Sequence, residues 1–242
     1  MRTVTAALPT EVGVLDGVAY SLWLPRPAPA PRGGIVIVHG AGSCKENHHD
    51  YARAALAAGF AAIAFDQRGH GASEGPMDGR AIQDVGAVAA RLRSAIGDPR
   101  APIALRGSSM GGYLALVAAT SADARAVVAI CPASAEGLRR GLREGRYELE
   151  ADVPALDRLL AAHDEHAAVG RLGVPLLLLH AEGDERVPVA HSRELAARMR
   201  APGSRLITLP GGDHRSIQHD PELQAMSLRF IAHALADGAT GA

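Results

Sequence analysis

The pentapeptide Gly107-Ser108-Ser109-Met110-Gly111 is the stretch that decides the fold of this chain. It follows a short apolar run at 103–105 and precedes a longer apolar run at 112–119. A serine between two glycines at this spacing, with a strand before it and a helix after it, is typical of a sharp turn that lifts the serine hydroxyl above a sheet. The glycines are required because the turn brings two backbones too close together for a Cβ atom.

Short apolar runs on both sides of the pentapeptide predict the rest of the sheet. They lie at 35–38, 61–65, 103–105, 127–130 and 175–179, with a weaker one at 206–209. The runs do not alternate with polar residues, which is typical of parallel strands buried on both faces. Helical patterns lie between them at 50–58, 81–96, 110–120, 190–200 and 222–236, and Pro221 suits the start of the last. This order predicts an α/β fold with a mostly parallel central sheet, right-handed crossovers and helices on both faces.

Two segments depart from this alternation. Residues 12–15 and 18–24 flank Asp16-Gly17, a pair that favours a two-residue turn, so we expect an N-terminal antiparallel hairpin. Residues 132–173 are far longer than one crossover helix needs and predict a small cap insertion. The cap carries an apolar stretch at 155–162 and four arginines, namely Arg139, Arg140, Arg143 and Arg146. We therefore expect a single domain over 1–242, interrupted only by the cap and a proline-rich piece at 25–31.

Composition excludes several classes of protein. The 242 residues carry 25 basic and 26 acidic side chains, so no basic surface for nucleic acid is expected. The two cysteines, Cys44 and Cys131, are too few for a disulfide framework and too far apart for a zinc or redox motif, so we expect packing residues in a reducing compartment. Residues 1–10 lack a charged and apolar leader, and no run is long enough to cross a membrane. We expect a cytoplasmic protein without a cofactor.

A serine hydroxyl needs a base and an orienting carboxylate before it can act as a nucleophile. Asp184 follows the strand at 175–179, and His214 follows the strand at 206–209. Serine, acid and histidine in this order, each at the carboxyl end of a strand, predict one catalytic site made of Ser109, Asp184 and His214.

Neighbouring residues offer alternatives for the base and the acid. His219 lies five positions after His214 and nearer the last helix, so it is a weaker candidate base. Glu182 and Glu185 flank Asp184, yet Gly183 before it and Val187-Pro188 after it suit a tight turn that presents one acid. Asp213 precedes His214 directly and is expected to cap local N–H groups.

Two backbone N–H groups are expected to stabilise an oxyanion beside Ser109. One comes from Met110, at the start of the helix, and the second from Ala41 in the glycine-rich loop at 39–43. The tandem His48-His49 could suggest a metal site, but adjacent residues on a helix do not face one point. We predict no metal.

These motifs together resemble the α/β-hydrolase superfamily, specifically its single-domain esterases, monoacylglycerol-lipase-like enzymes and serine-aminopeptidase-like hydrolases. The resemblance covers about 33–236 and rests on His39-Gly40-Ala41-Gly42, the stretch Asp66-Gln67-Arg68-Gly69-His70-Gly71, the pentapeptide, Gly183-Asp184 and Asp213-His214. Two departures are Ser108, where many relatives carry histidine, and the short cap. In the stretch at 66–73 a structural turn is favoured over a substrate role for Arg68 or His70.

The resemblance implies a serine hydrolase that cleaves carboxylic esters through an acyl-enzyme on Ser109. A short cap favours small or short-chain acyl groups and a small-molecule ester as the partner. An amidase or acyl-aminopeptidase, or a thioesterase, would use the same triad. A scaffold that binds a ligand without catalysis is the alternative from another class, since a fold alone does not imply chemistry.

Overall fold

The computed structural model describes residues 7–25 and 30–237. The N-terminal residues 1–6 and most of the proline-rich piece at 25–31 lie outside the described residues, so the predictions made for them stay predictions. None of the described helices combines the length and the apolar character needed to cross a membrane.

Eight strands form one sheet, and the predicted α/β architecture is confirmed. The strands are β1 (Glu11–Leu15), β2 (Val18–Trp23), β3 (Gly34–Val38), β4 (Ala61–Phe65), β5 (Ile103–Ser108), β6 (Ala124–Ile130), β7 (Leu176–Ala181) and β8 (Arg205–Leu209). Their order across the sheet is β1-β2-β4-β3-β5-β6-β7-β8. β2 pairs antiparallel with both β1 and β4, and all other neighbours are parallel. The predicted hairpin turn has a positive φ at both Asp16 and Gly17, at 48° and 82°.

In the described residues, eight α-helices connect and cover the strands. They are α1 (His49–Ala57), α2 (Ala81–Ile96), α3 (Met110–Ala118), α4 (Ala135–Arg143), α5 (Val153–Ala162), α6 (Glu165–Arg171), α7 (Val189–Ala196) and α8 (Pro221–Asp237). Short 3₁₀ turns at Lys45–His48 and Ser216–Gln218 complete the described elements. Pro221 begins the last helix as predicted.

Both faces of the sheet are buried in separate apolar layers. In β3, Val36 and Val38 face a layer that includes residues of α2 and α3, whereas Ile35 and Ile37 face a second layer that includes residues of α1 and α8. β7 divides in the same way, so its unbroken leucine run serves both layers. This two-sided burial explains why the strands read as continuous apolar runs.

The predicted end of β5 is wrong by three residues. β5 continues through Arg106 to Ser108, although a charged side chain is unusual inside a buried strand. The Arg106 guanidinium lies 3.9 Å from the centre of the Tyr51 ring and donates a hydrogen bond of 2.7 Å to the carbonyl of Gln218. These contacts compensate for the lost hydration, so the charge does not end the strand.

Three capped helices occupy the cap segment, residues 132–173. Their N-terminal residues are Ser134, Asp152 and Asp164, and each side chain accepts a hydrogen bond from a backbone N–H in the first turn of its helix. Of these three helices, only the second was indicated by the sequence pattern, through the apolar stretch at 155–162. The capping residues are the signal by which all three helices could have been predicted.

A buried ion pair joins the loop after β3 to the loop after β4. Lys45 Nζ lies 2.7 Å from Asp66 Oδ2, and the two side chains are 5% and 0% exposed. The Asp66 carboxylate also accepts from the backbone N–H of Lys45 and of Ala72. The pair therefore fixes the position of the glycine-rich loop that precedes Lys45.

We expect Asp66→Asn to lower the free energy of unfolding by about 3 kcal/mol, because it leaves the Lys45 ammonium buried without its main partner. Urea denaturation at pH 7 measures this change. Asp78→Asn is the matched control: it breaks a more exposed ion pair with Arg80 and should cost about 1 kcal/mol or less. Equal losses in the two variants would contradict the structural role of Asp66.

Candidate active site

Ser109 lies at the turn between β5 and α3 in a backbone conformation that is rare for a residue with a side chain. Its φ is 54° and its ψ is −120°. Hydrogen bonds hold the turn: the Ser109 N–H donates to the carbonyl of Ile130, and the Ser109 carbonyl accepts from Ala133 and Tyr113. These bonds compensate for the strained backbone.

The two glycines of the pentapeptide are enforced by close backbone contacts. A Cβ at Gly107 would overlap the carbonyl oxygen of Gly111, and a Cβ at Gly111 would overlap the carbonyl oxygen of Val38. The turn is therefore packed directly against the end of β3. Any side chain at either position would push Ser109 away from its place.

His214 and the buried Asp184 form a short hydrogen bond. His214 Nδ1 lies 2.7 Å from Asp184 Oδ2, and the side chains are 7% and 0% exposed. Ser109 and His214 both line a cavity of about 640 Å³. Within the described ranges, no hydrogen bond joins the Ser109 hydroxyl to the His214 ring; such contacts in catalytic sites often form only when a substrate is bound.

Three hydrogen bonds hold the Asp184 carboxylate. Oδ1 accepts from the backbone N–H of Arg186 and of Val187, both at 2.8 Å. Oδ2 faces His214 and also lies 3.4 Å from His180 Nε2. Burial alone would raise the pKa of Asp184, but these hydrogen bonds outweigh it and hold the pKa well below its usual range. The residue is a fixed anion.

His180 is a site residue that the sequence analysis missed. It lies at the end of β7, fully buried, where its Nδ1 accepts from the Ser192 hydroxyl at 2.7 Å and its Nε2–H donates to the carbonyl of Val187 at 2.9 Å. Because Nε2 also lies 3.4 Å from Asp184 Oδ2, the ring packs against that carboxylate. A histidine directly after four leucines in a buried strand was the available signal.

The competing residues are bound elsewhere. His219 Nδ1 pairs with Asp50 at 3.0 Å rather than with Asp184. Asp213 accepts from the backbone N–H of Arg215 and Ser216, which is the capping role expected for it. Glu182 forms an ion pair with Arg193, at 3.0 Å. Of these competing residues, Glu185 and His219 line the cavity.

The glycine-rich loop at 39–43 lies against the serine turn. A Cβ at Gly40 would lie 3.2 Å from the Cβ of Ser109, and Ala41 lines the cavity. In the described part of the chain, the N–H groups of Ala41 and Met110 donate to no turn or loop carbonyl. Both donors are therefore available beside the serine.

His39 contacts the backbone of this loop through its ring. Its ring is buried, accepts from the N–H of Gln67 at Nε2 and lies 2.7 Å from the carbonyl of Gly40 at Nδ1. The Gln67 amide in turn donates to the His39 carbonyl at 2.5 Å. Burial and the nearby His70 lower the pKa of His39 to about 4, so the ring is neutral at pH 7.

The stretch at 66–73 makes structural contacts. Arg68 donates to both oxygens of Asp84 and to the carbonyl of Asp16. His70 Nδ1 lies 3.1 Å from the carbonyl of Arg68, and its ring packs against His39. Neither side chain lines the cavity.

Two groups among the described residues bring potential metal ligands within 4.8 Å of one another. One is Cys131, Asp184 and His214, and the other is Glu165, His166 and His191. In the first group, burial raises the pKa of the Cys131 thiol, which opposes the thiolate form that metals bind. His48 and His49, the pair considered from the sequence, belong to neither group, and the prediction of no metal stays a prediction.

Comparisons with known proteins identify the family and the fold of the chain. The model of a family described as serine aminopeptidase, S33, matches residues 29–150. A monoacylglycerol lipase of Mycolicibacterium smegmatis is 27% identical over 253 aligned positions, which cover 85% of this chain and 88% of the relative.

Two solved structures show the same fold. A soluble variant of the monoglyceride lipase of Saccharomyces cerevisiae, in complex with a substrate analog, has a TM-score of 0.73 at 15% identity and covers 98% of this chain and 97% of that chain. Est1E of Butyrivibrio proteoclasticus, bound to ferulic acid, has a TM-score of 0.72 at 20% identity and covers 94% of this chain and 98% of that chain.

We expect His39 to stay neutral in the folded protein until about pH 4, as imidazole chemical shifts in an NMR titration would show. The unfolded chain binds this proton from about pH 6.5 downward. The stability that the neutral ring contributes is therefore complete above pH 6.5 and is lost as the pH falls, by about 1.4 kcal/mol per pH unit. A His39 signal that titrates near pH 6.5 would contradict the buried neutral ring.

Proposed function

Since the chain belongs to the family described as serine aminopeptidase, S33, within the α/β-hydrolase superfamily, we propose that it hydrolyses carboxylic esters of short acyl chains through an acyl-enzyme on Ser109. The observation that carries the proposal is the 2.7 Å bond between His214 and a fixed Asp184 anion in the cavity that Ser109 lines.

In this proposal His214 takes the proton of the Ser109 hydroxyl as the oxygen attacks the ester carbonyl. Asp184 keeps the Nδ1–H of the imidazole directed toward itself, so Nε2 faces the serine, and it stabilises the imidazolium that forms. The N–H groups of Ala41 and Met110 donate to the oxyanion. His214 then protonates the departing alcohol, and a water molecule repeats the sequence to release the acid.

The acyl group is proposed to be short because few apolar side chains line the cavity and they form no continuous apolar wall. Five of its lining residues have apolar or aromatic side chains, namely Ala41, Ala133, Tyr147, Val187 and Pro188, and they are scattered among charged and polar ones. A long alkyl chain gains about 0.8 kcal/mol for each buried CH₂ only where such a wall exists. The similarity to the mycolicibacterial lipase supports an ester as the bond that is cleaved, and we infer nothing else about the substrate from it.

The family description favours a second candidate, cleavage of an amide at a peptide N-terminus. Such a substrate brings a positively charged amino group, which needs a carboxylate nearby. The described residues supply one acidic side chain to the cavity, Glu185, against four arginines. We therefore favour the ester.

We expect Ser109→Ala and His214→Ala each to lower kcat for 4-nitrophenyl acetate by about 10³-fold or more. Ser109→Ala should also abolish labelling by a fluorophosphonate, with the adduct located by mass spectrometry. Ser121→Ala and His163→Ala, which lie outside the cavity, are the matched controls and should keep wild-type rates. An active Ser109→Ala variant, or an adduct on another residue, would contradict the proposal.

Across 4-nitrophenyl esters from acetate to decanoate, we expect kcat/KM to peak at two to four carbons, because the few apolar side chains of the cavity are scattered among polar ones. A steady rise toward decanoate would overturn the short-chain part of the proposal and leave ester cleavage intact. Faster turnover of a matched 4-nitroanilide than of the ester would overturn the choice of ester over amide.

A further inference from the structure

Positive charge is concentrated at the cavity beside Ser109. Four arginines line it: Arg140 and Arg146 from the cap segment, Arg186 from the loop after β7 and Arg215 from the loop after β8. The whole chain carries 25 basic and 26 acidic side chains, so this excess is local and does not follow from the composition.

The structure divides the four cap arginines into two pairs. Arg139 donates to both carboxylate oxygens of Asp157, and Arg143 lies 3.8 Å from the same carboxylate. Neither of these two lines the cavity, whereas Arg140 and Arg146 do. The four arginines are close in sequence but have different surroundings. Arg139 and Arg143 contact Asp157, whereas Arg140 and Arg146 line the cavity.

The lining arginines differ in whether an acid neutralises them. Arg146 pairs with Glu144, and Arg186 lies 3.6 Å from Glu185. Among the residues that the structure describes, no carboxylate lies within ion-pair distance of Arg140 or Arg215. These two guanidinium groups leave net positive charge at the mouth of the cavity, one on the cap side and one directly after His214.

We propose that the natural substrate is an ester that carries an anionic group, a carboxylate or a phosphate, and that Arg140 and Arg215 bind this group while Ser109 attacks the ester. Guanidinium groups bind both anions through paired N–H donors, which also orients the ligand. The inference rests on the proposed ester hydrolysis and adds its substrate class. The site then selects its substrate by charge as well as by acyl length.

The test compares two acetates that differ in charge, 4-acetoxybenzoate and 4-acetoxybenzamide. For each protein the ratio of kcat/KM for the anionic to the neutral ester is measured at low ionic strength, so that intrinsic reactivity cancels between variants. We expect Arg140→Gln to lower this ratio about three- to fivefold and Arg140→Gln with Arg215→Gln about tenfold, mainly through KM. Added salt should lower the wild-type ratio, because these charges are exposed.

Arg143→Gln is the matched control, since Arg143 is a cap arginine of similar exposure that does not line the cavity. It should leave the ratio within about twofold of wild type. Equal ratios in all four proteins, or an equal fall in Arg143→Gln, would overturn the inference. Replacing the benzoate with 4-acetoxyphenyl phosphate separates the two anions: the larger effect of Arg140→Gln identifies the preferred one.

Binding separates this inference from the proposed reaction. In a Ser109→Ala background, calorimetry with 4-acetoxybenzoate and with the benzamide measures affinity without turnover. Preferential binding of the anionic ester, lost when Arg140→Gln is added, would support the anion site. If no ester is cleaved in that case, only the proposal of ester hydrolysis fails. Turnover of both esters with no preference in binding would leave hydrolysis standing and reject the anion site.

Discussion

The positive φ of Ser109 is the constraint on which the rest of the site depends. A residue with a side chain adopts φ near 54° only where neighbouring contacts compensate, and here they come from the ends of β3 and β6. Gly107 and Gly111 make this approach possible, since a Cβ at either would overlap a carbonyl oxygen. The sheet is therefore needed for the chemistry: the order of its central strands places the glycine-rich loop beside the serine, and parallel pairing brings the loops after β7 and β8 to the same edge.

The Asp184 anion shows how a fold selects one acid among several. Glu182, Glu185 and Asp213 lie within a few residues of the proposed acid or base, and all are at least partly exposed. Asp184 alone is buried with two backbone N–H donors on one oxygen and two imidazoles on the other. An exposed carboxylate is screened by water, whereas a buried one with every lone pair directed holds the imidazole in one tautomer. Spacing in the sequence predicted this acid, but its buried partner His180 gave a weaker signal.

Most of the sheet could be predicted because strands buried on both faces consist of unbroken apolar runs, as in β3 and β7. The errors fall where a tertiary contact overrides local pattern. Arg106 continues a strand because its guanidinium packs over the Tyr51 ring and donates to the Gln218 carbonyl. Both partners are far from position 106 in the sequence, so the local pattern does not indicate them. The cap helices are marked mainly by their capping residues, because they are short. For the site, the order of serine, acid and histidine was enough to predict the contact between Asp184 and His214. Which arginines line the cavity could be seen only in the structure.

The positions of these arginines distinguish the contribution of the sheet to the site from that of the cap. In the proposed reaction, the sheet and its loops place a serine, a base and two N–H donors, a set that would act on any acyl group able to reach it. Discrimination between substrates has to come from groups that contact the rest of the molecule, and the cap supplies Arg140 and Arg146 there. Asp157 turns Arg139 and Arg143 away from the cavity, so this carboxylate limits how much positive charge the site receives. A change on the outer face of the cap can thus alter the charge of the site without touching any group that takes part in the reaction.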